Sequence, residues 1–144
     1  PVQARACDWV AAACEHLVAG TVVAIDYCTA RTADLVAVPW RQWLRTYRGH
    51  ERGAHYLRDV GLQDVTTQVC IDQLPVPTAV RTQAQFLQRW GIDALVEEGR
   101  DAWQAASARP DLEALRMRSR ISEAESLLDP AGLGSFEVLE WRVG

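Results

Sequence analysis

The residues best placed to do chemistry are carboxylates and their polar neighbours. Asp26 closes a short β-branched run, Thr21-Val22-Val23-Ala24-Ile25, and Tyr27 follows it. In open α/β sheets ligands bind just outside the carboxyl ends of strands, so Asp26 and Tyr27 stand where a polar substrate would be held. A lone Asp at a strand end also serves as a cap or loop ligand; with Tyr27 beside it and an Arg- and His-rich stretch following, the site reading stands level with that one. Asp64-Val65-Thr66 admits two readings: a turn in which Asp64 accepts from nearby backbone N–H groups, or a second site carboxylate. Gln83 opens an apolar helix and reads either as a buried amide that orients backbone or as a substrate contact. Trp40, Trp43 and Tyr47 suit core or lid packing or a pocket wall. The acidic balance of the chain opposes a nucleic-acid stacking platform.

Two familiar patterns fail on geometry. His50-Glu51-Arg52-Gly53-Ala54-His55 resembles a zinc-protease signature, but its histidines are five residues apart. That spacing rotates them away from each other on a helix, and Gly53 weakens the helix itself, so no metal site is expected. Cys28, a histidine (His50 or His55) and Asp64 could be drawn as a nucleophile set, but no nucleophile elbow surrounds Cys28. His16 reads as a partly exposed structural residue of the first helix.

The elements that must position these groups follow from hydrophobic periodicity. Ala6, Cys7, Val10, Ala11, Cys14, Leu17 and Val18 recur at helical spacing, with Gly20 as a stop. Residues 21–25 lack alternation, which predicts a strand covered on both faces, as in a parallel sheet. Residues 29–63 show no sustained period; a stretch this long carries function or local structure of its own. Val65, Thr67, Val69 and Ile71 alternate with polar residues and predict a second strand, broken by Pro75 and Pro77. A short extended piece near residues 78–81 precedes three helices. The first runs over 83–90 and ends at Gly91. The second buries Ile92, Leu95, Val96, Ala102, Trp103 and Ala106. The third is expected to take Pro110 as its first helical residue, to bury Met117, Ile121, Ala124 and Leu128, and to stop at Asp129-Pro130. Ser135 to Trp141 alternates and predicts a last strand with one wet face.

A chain of 144 residues, 49% hydrophobic and 24% charged, fits one α/β domain with a real core. The net charge of −4 gives no electrostatic case for nucleic acid or an anionic membrane. All 15 basic residues are Arg, which is read as a codon bias. The longest apolar run falls far short of a membrane span, and no charged-then-apolar leader opens the chain. Cys7, Cys14, Cys28 and Cys70 form no CxxC pair, so a reducing, cytoplasmic setting is expected. The chain opens on Pro1 and its single Met is Met117, so a fragment, trimmed or processed product is expected.

Five ordered pieces resemble the MidA-like S-adenosylmethionine-dependent methyltransferase family, which includes the mitochondrial complex I assembly methyltransferases. They are Asp26-Tyr27-Cys28, Leu44-Arg45-Thr46-Tyr47-Arg48-Gly49-His50, the Gly61 to Thr66 segment with Asp64-Val65-Thr66, the Thr82-Gln83 to Gly91-Ile92 helix with Phe86 and Leu87, and Gly134 before the last strand. The matches cover nearly the whole chain. Cys28 replaces the family's Gly, the linker before Leu44 lacks its Arg-Gly, and its glycine-rich cofactor loop has no counterpart. Gly132 and Gly134 follow a helix and precede a strand, the reverse of the order such a loop requires.

The resemblance implies the C-terminal part of a class I, Rossmann-like fold, with an incomplete sheet and helical insertions. Its parts would be 1–28 (helix and buried strand), 29–64 (substrate-side insertion) and 65–144 (late strands and helices). It implies S-adenosylmethionine as donor, held mainly by residues outside this chain, and a protein acceptor, with an arginine side chain as a candidate. This chain alone would be inactive, and a non-catalytic binding or assembly module is the alternative. A guanidinium stays protonated in water, so its methylation needs carboxylates to orient it and take up a proton. Asp26 and Asp64 fit that task, with His50 as relay or loop anchor. Tyr27, Arg45, Tyr47, Thr66 and Gln83 would contact the acceptor. An incomplete sheet exposes an edge, so self-association into a homo-oligomer, or pairing with a missing N-terminal segment, is expected; neither nucleic acid nor membrane is an expected partner.

Overall fold

A computed structural model describes every residue, 1–144. The chain is mixed α/β and divides into two compact units, residues 1–79 with 140–144 and residues 80–139. Its strands form three small sheets rather than one.

In the first unit, α1 (Ala4–Glu15) leads into β1 (Gly20–Asp26), β2 (Cys28–Thr29), α2 (Thr32–Val36) and α3 (Trp40–Trp43). Then come β3 (Leu44–Arg48), β4 (Glu51–Arg52), β5 (Asp64–Thr67), β6 (Val69–Cys70) and a 3-10 turn, Ile71–Gln73. The predicted second strand exists but is broken at Gln68 into β5 and β6, which join different sheets. β2 pairs in parallel with β6, and β3 is the centre of an antiparallel sheet ordered β4-β3-β5. The third sheet is ordered β1-β8-β7, with β7 at Ala79–Thr82 and β8 at Glu137–Val143.

β1 corrects the reading of a strand buried on both faces. It is an edge strand in which Val22 and Ala24 are half-buried while Val23 and Ile25 are 42% and 46% exposed. Nothing in these residues covers the second face that its β-branched composition suits. β8 departs in the other direction: consecutive Val138 and Leu139 are buried, so both faces are covered there, and Trp141 buries its ring while its Nε1 donates to Pro75 O at 2.8 Å.

In the second unit, α4 (Gln83–Arg89) starts at a capping box: Thr82 Oγ1 accepts from Gln85 N–H, and the Gln85 side chain accepts from Thr82 N–H. Gly91, in the left-handed region at φ 88°, turns the chain into α5 (Ile92–Ala106). In α6 (Leu112–Leu128) Asp111, not Pro110, sets the start, because its carboxylate accepts from Ala114 N–H at 2.8 Å and Pro110 lies outside the helix. Ile92, Val96 and Ala124 form the centre of this unit, with Leu87, Ile121, Leu127 and Leu128 against them. Leu95, expected in that face, is 52% exposed.

α5 and α6 cross closely at Gly99, where an added Cβ would stand 2.6 Å from Met117 O. Alanine ordinarily stabilises a helix interior over glycine by about 0.5–1 kcal/mol. Here the contact is with backbone, which cannot rotate away, and overpacking costs about 1–3 kcal/mol. Gly99→Ala should therefore lower the unfolding free energy in a urea titration; a rise would mean that the two helices can separate freely.

Candidate functional site

The site is built on β3. Its antiparallel register with β5 sets Arg45 opposite Thr66 and Tyr47 opposite Asp64, with Thr46 opposite Val65 between them. Directly opposed residues share a face, and successive residues alternate faces. The register therefore gathers Arg45, Tyr47, Asp64 and Thr66 on one side of the sheet. Tyr27, from the junction of β1 and β2, joins them: the Arg45 guanidinium lies 6.0 Å from its ring centre. A recess of about 210 Å³ opens there, lined by Tyr27, Arg45, Tyr47 and Thr66 together with Trp43, Thr67 and Gln68.

Asp26 stands next to Tyr27 and bonds to it locally, Oδ1 accepting from Tyr27 N–H at 2.7 Å. The other oxygen, Oδ2, takes no hydrogen bond within the chain. His50 has a different setting. It follows Gly49 in a two-residue turn between β3 and β4, and the two have φ of 69° and 55°. Positive φ at both central positions is the hairpin geometry whose twist matches the strands. His50 sits exposed at the tip and does not line this recess. Gln83 belongs to the second unit, is buried, and donates through Nε2 to Leu127 O at 3.0 Å. That is the backbone-orienting reading of the amide.

On its other side β3 helps form a second recess, also about 210 Å³, with Trp40, Arg41, Arg45, Thr46, Arg52 and His55 among its lining. Its floor is tight: Thr46 is buried, its Oγ1 donates to Ala54 O at 2.7 Å, and Gly53 N–H donates to Thr46 O at 2.7 Å. A Cβ on Gly53 would stand 2.6 Å from Thr46 Oγ1. Arg41 and Arg52 were not singled out by the sequence, and His55 was weighed there only as a metal ligand or a nucleophile's partner, since the three come to line one recess only through the β3–β4 hairpin. The Gly-His pair between two short polar strands was the available signal.

No protein-family model matches the sequence, and no curated protein does. The fold, however, has solved counterparts. An uncharacterised COG1565 superfamily protein from Burkholderia thailandensis superposes with a TM-score of 0.67 at 21% identity, covering 95% of this chain and 36% of the other. A COG1565 member from the same organism, described as a candidate methyl transferase and bound to S-adenosylhomocysteine, gives 0.66 at 21% identity, over 94% and 35%. This chain shares their fold. It spans about a third of the length of each.

The residues present do not make a cradle for such a cofactor. A cradle needs a glycine-rich turn from a strand into a helix whose first N–H groups are open. The helix that follows β2 is only five residues long. Its first N–H, that of Thr32, donates to Asp72 Oδ2 at 2.9 Å, and the Thr32 hydroxyl donates to Asp72 Oδ1 at 2.8 Å. Gly91 leads into α5 from a helix, not from a strand.

The Thr32 backbone bond, then the hydroxyl bond, hold the Asp72 carboxyl below the usual carboxylate range. A lowered folded-state pKa contributes stability that is complete above the unfolded carboxylate range and is lost as pH falls through the lowered value. The stability of the native chain should thus fall more steeply than that of Asp72→Asn as pH drops below about 4. Parallel acid limbs in denaturant titrations would remove Asp72 from this role.

Proposed function

We propose that these residues form the acceptor side of a methyl-transfer site, C-terminal in a larger class I methyltransferase. S-adenosylmethionine is the donor, a polypeptide the acceptor, and an arginine side chain the methylated group. The observation that carries the reading is the gathering of Arg45, Tyr47, Asp64 and Thr66 on one sheet face beside Tyr27. The shared fold with a protein that holds S-adenosylhomocysteine supports it, as does the exposed second face of β1, which is composed for burial.

The bound cofactor supplies an electrophilic methyl group, and this chain's residues handle the acceptor. A guanidinium presents a planar fork of N–H donors that a carboxylate accepts in pairs. Asp64, opposite Tyr47, and Asp26, with Oδ2 open, are the carboxylates that orient the fork and take its proton. Tyr27 and Arg45, in cation–π contact with each other, wall the recess that receives the acceptor. Thr66 supplies a hydroxyl to the same recess. The donor itself is held by residues outside this stretch, in keeping with the lack of a cradle. That same lack favours one alternative, a binding or assembly module without chemistry.

In the intact protein, Asp26→Asn and Asp64→Asn should each slow methyl transfer from tritiated S-adenosylmethionine to protein by about a hundredfold. Affinity for S-adenosylhomocysteine should stay within about twofold, because neither side chain grips the donor. Unchanged rates in both variants would remove the two carboxylates from the reaction. An intact protein that binds no donor would leave the assembly module standing. Stoichiometric capture of S-adenosylhomocysteine by the 144 residues alone would overturn the division between donor and acceptor sides.

A further inference from the structure

β5 (Asp64–Thr67) ends the sheet β4-β3-β5, so its outer side is an unpaired edge. The backbone groups on that edge follow from the register. In an antiparallel pair, consecutive residues turn their N–H and C=O groups alternately to one side and the other. Thr46 O accepts from Gly53 N–H at 2.7 Å, so Thr46 faces the β4 side, and Arg45 and Tyr47 beside it face β5. Their partners Thr66 and Asp64 face β3 in return. Val65 and Thr67 therefore turn their N–H and C=O groups outward, where nothing in the chain bonds to them.

This edge lacks the usual protection. Edge strands are commonly blunted by Lys, Pro, a bulge or great shortness. β5 has neither Lys, Arg nor Pro, its register with β3 is unbroken, and all four of its residues are exposed, Val65 by 54%. β4, the opposite edge of the same sheet, is only two residues, Glu51 and Arg52, both charged. The open edge also runs beside the face that gathers Arg45, Tyr47, Asp64 and Thr66. A strand added there lies about 4.8 Å from β5, and its residues opposite Asp64 and Thr66 share their face. A long side chain at such a position reaches the Asp64 carboxylate, which belongs to no ion pair within the chain and complements a guanidinium.

We propose that the acceptor polypeptide binds as an added strand on the edge of β5, its main chain held by Val65 and Thr67 and its arginine on the face of Asp64 and Thr66. The inference rests on the acceptor reading of that face and adds how the polypeptide is held. Main-chain bonds supply affinity, and alternate side chains are read on the two faces. The probe is a blocked, fluorescein-labelled pentapeptide with a central arginine among valines and threonines. It is titrated with the intact protein up to about 1 mM and followed by anisotropy. Two further peptides carry backbone N-methyl groups, one on the arginine, the other on the two residues beside it. An added strand turns alternate N–H groups to its neighbour, so one of these peptides should bind at least about tenfold more weakly than the parent peptide and the other within about threefold. Val65→Pro removes an outward N–H and should weaken the parent peptide at least about tenfold, whereas Val65→Ala, which keeps that N–H, should lose less than about threefold. No saturable binding of the parent peptide, or equal affinity of the two N-methylated peptides, would overturn the proposal. So would a dimer in sedimentation that Val65→Pro returns to monomer and the peptide leaves intact, since the edge then belongs to a second copy. Asymmetric binding without methyl transfer to the peptide from tritiated S-adenosylmethionine supports the docking edge and counts against the methyl-transfer reading; transfer without the asymmetry does the reverse.

Discussion

The first unit is closed by a set of side-chain amides rather than by a large apolar core. Gln3 sits at the start of α1 and reaches across the chain in three bonds. Its N–H donates to Gln73 Oε1 at 2.8 Å, its Nε2 donates to Gln68 O at 2.7 Å, and its Oε1 accepts from Cys70 N–H at 2.7 Å. Gln73 Nε2 in turn donates to Thr32 Oγ1 and Pro1 O. These bonds brace β2 and β6, which are two residues each and too short to hold by their own ladder. They also explain why Gln3 gives α1 no side-chain cap: its amide is used elsewhere. Buried Cys70 and Leu35 lie beside this network, so polar satisfaction and packing there stand or fall together.

From that brace the candidate site follows by register. The β1–β2 junction brings Tyr27 to Arg45, and the break at Gln68 lets β5 leave the β2–β6 pair and join β3. A one-residue slip of β5 would turn Asp64 and Thr66 to the opposite face. The register is tied down on the other side as well. Gln63 Nε2 divides its two hydrogens among the carbonyls of His55, Tyr56 and Arg58, which shapes the loop that delivers β5. The face that gathers Arg45, Tyr47, Asp64 and Thr66 thus depends on amide groups remote from it.

Much of the second unit was legible, because its order is local. The 3.6-residue period, Gly91 and Asp129-Pro130 mark its helices, whereas the capping box of Thr82 with Gln85 emerged only from the structure. Pro110 misled because an Asx cap one residue later outweighs proline's preference for the first turn. The first unit was legible only in part. β1 was found from composition, but composition states what a strand suits, not whether these residues cover it. β3 was missed because Leu44-Arg45-Thr46-Tyr47-Arg48 is mostly polar, and its pairing with β4 and β5 is what makes it a strand. Tyr27, Arg45, Tyr47 and Thr66 were nonetheless chosen from sequence and lie together. They were chosen through family likeness, which carries tertiary information that periodicity does not.

His50 shows how one residue type can matter for two unrelated reasons. Its position in the Leu44 to His50 segment suggested proton relay, yet its setting here is conformational. A β-branched or bulky residue strongly resists φ of 69°, whereas His is among the few that tolerate it. Together with Gly49 it fixes the two-residue turn, and the turn fixes Tyr47 opposite Arg52. That pairing delivers Gly53 N–H to Thr46 O and leaves no room for a side chain at residue 53. The hairpin therefore has one register, and with it one assignment of faces: Arg45, Tyr47 and Arg52 on the side of Tyr27, Thr46 toward the second recess. The tip residue reaches neither recess, yet both depend on the turn it makes.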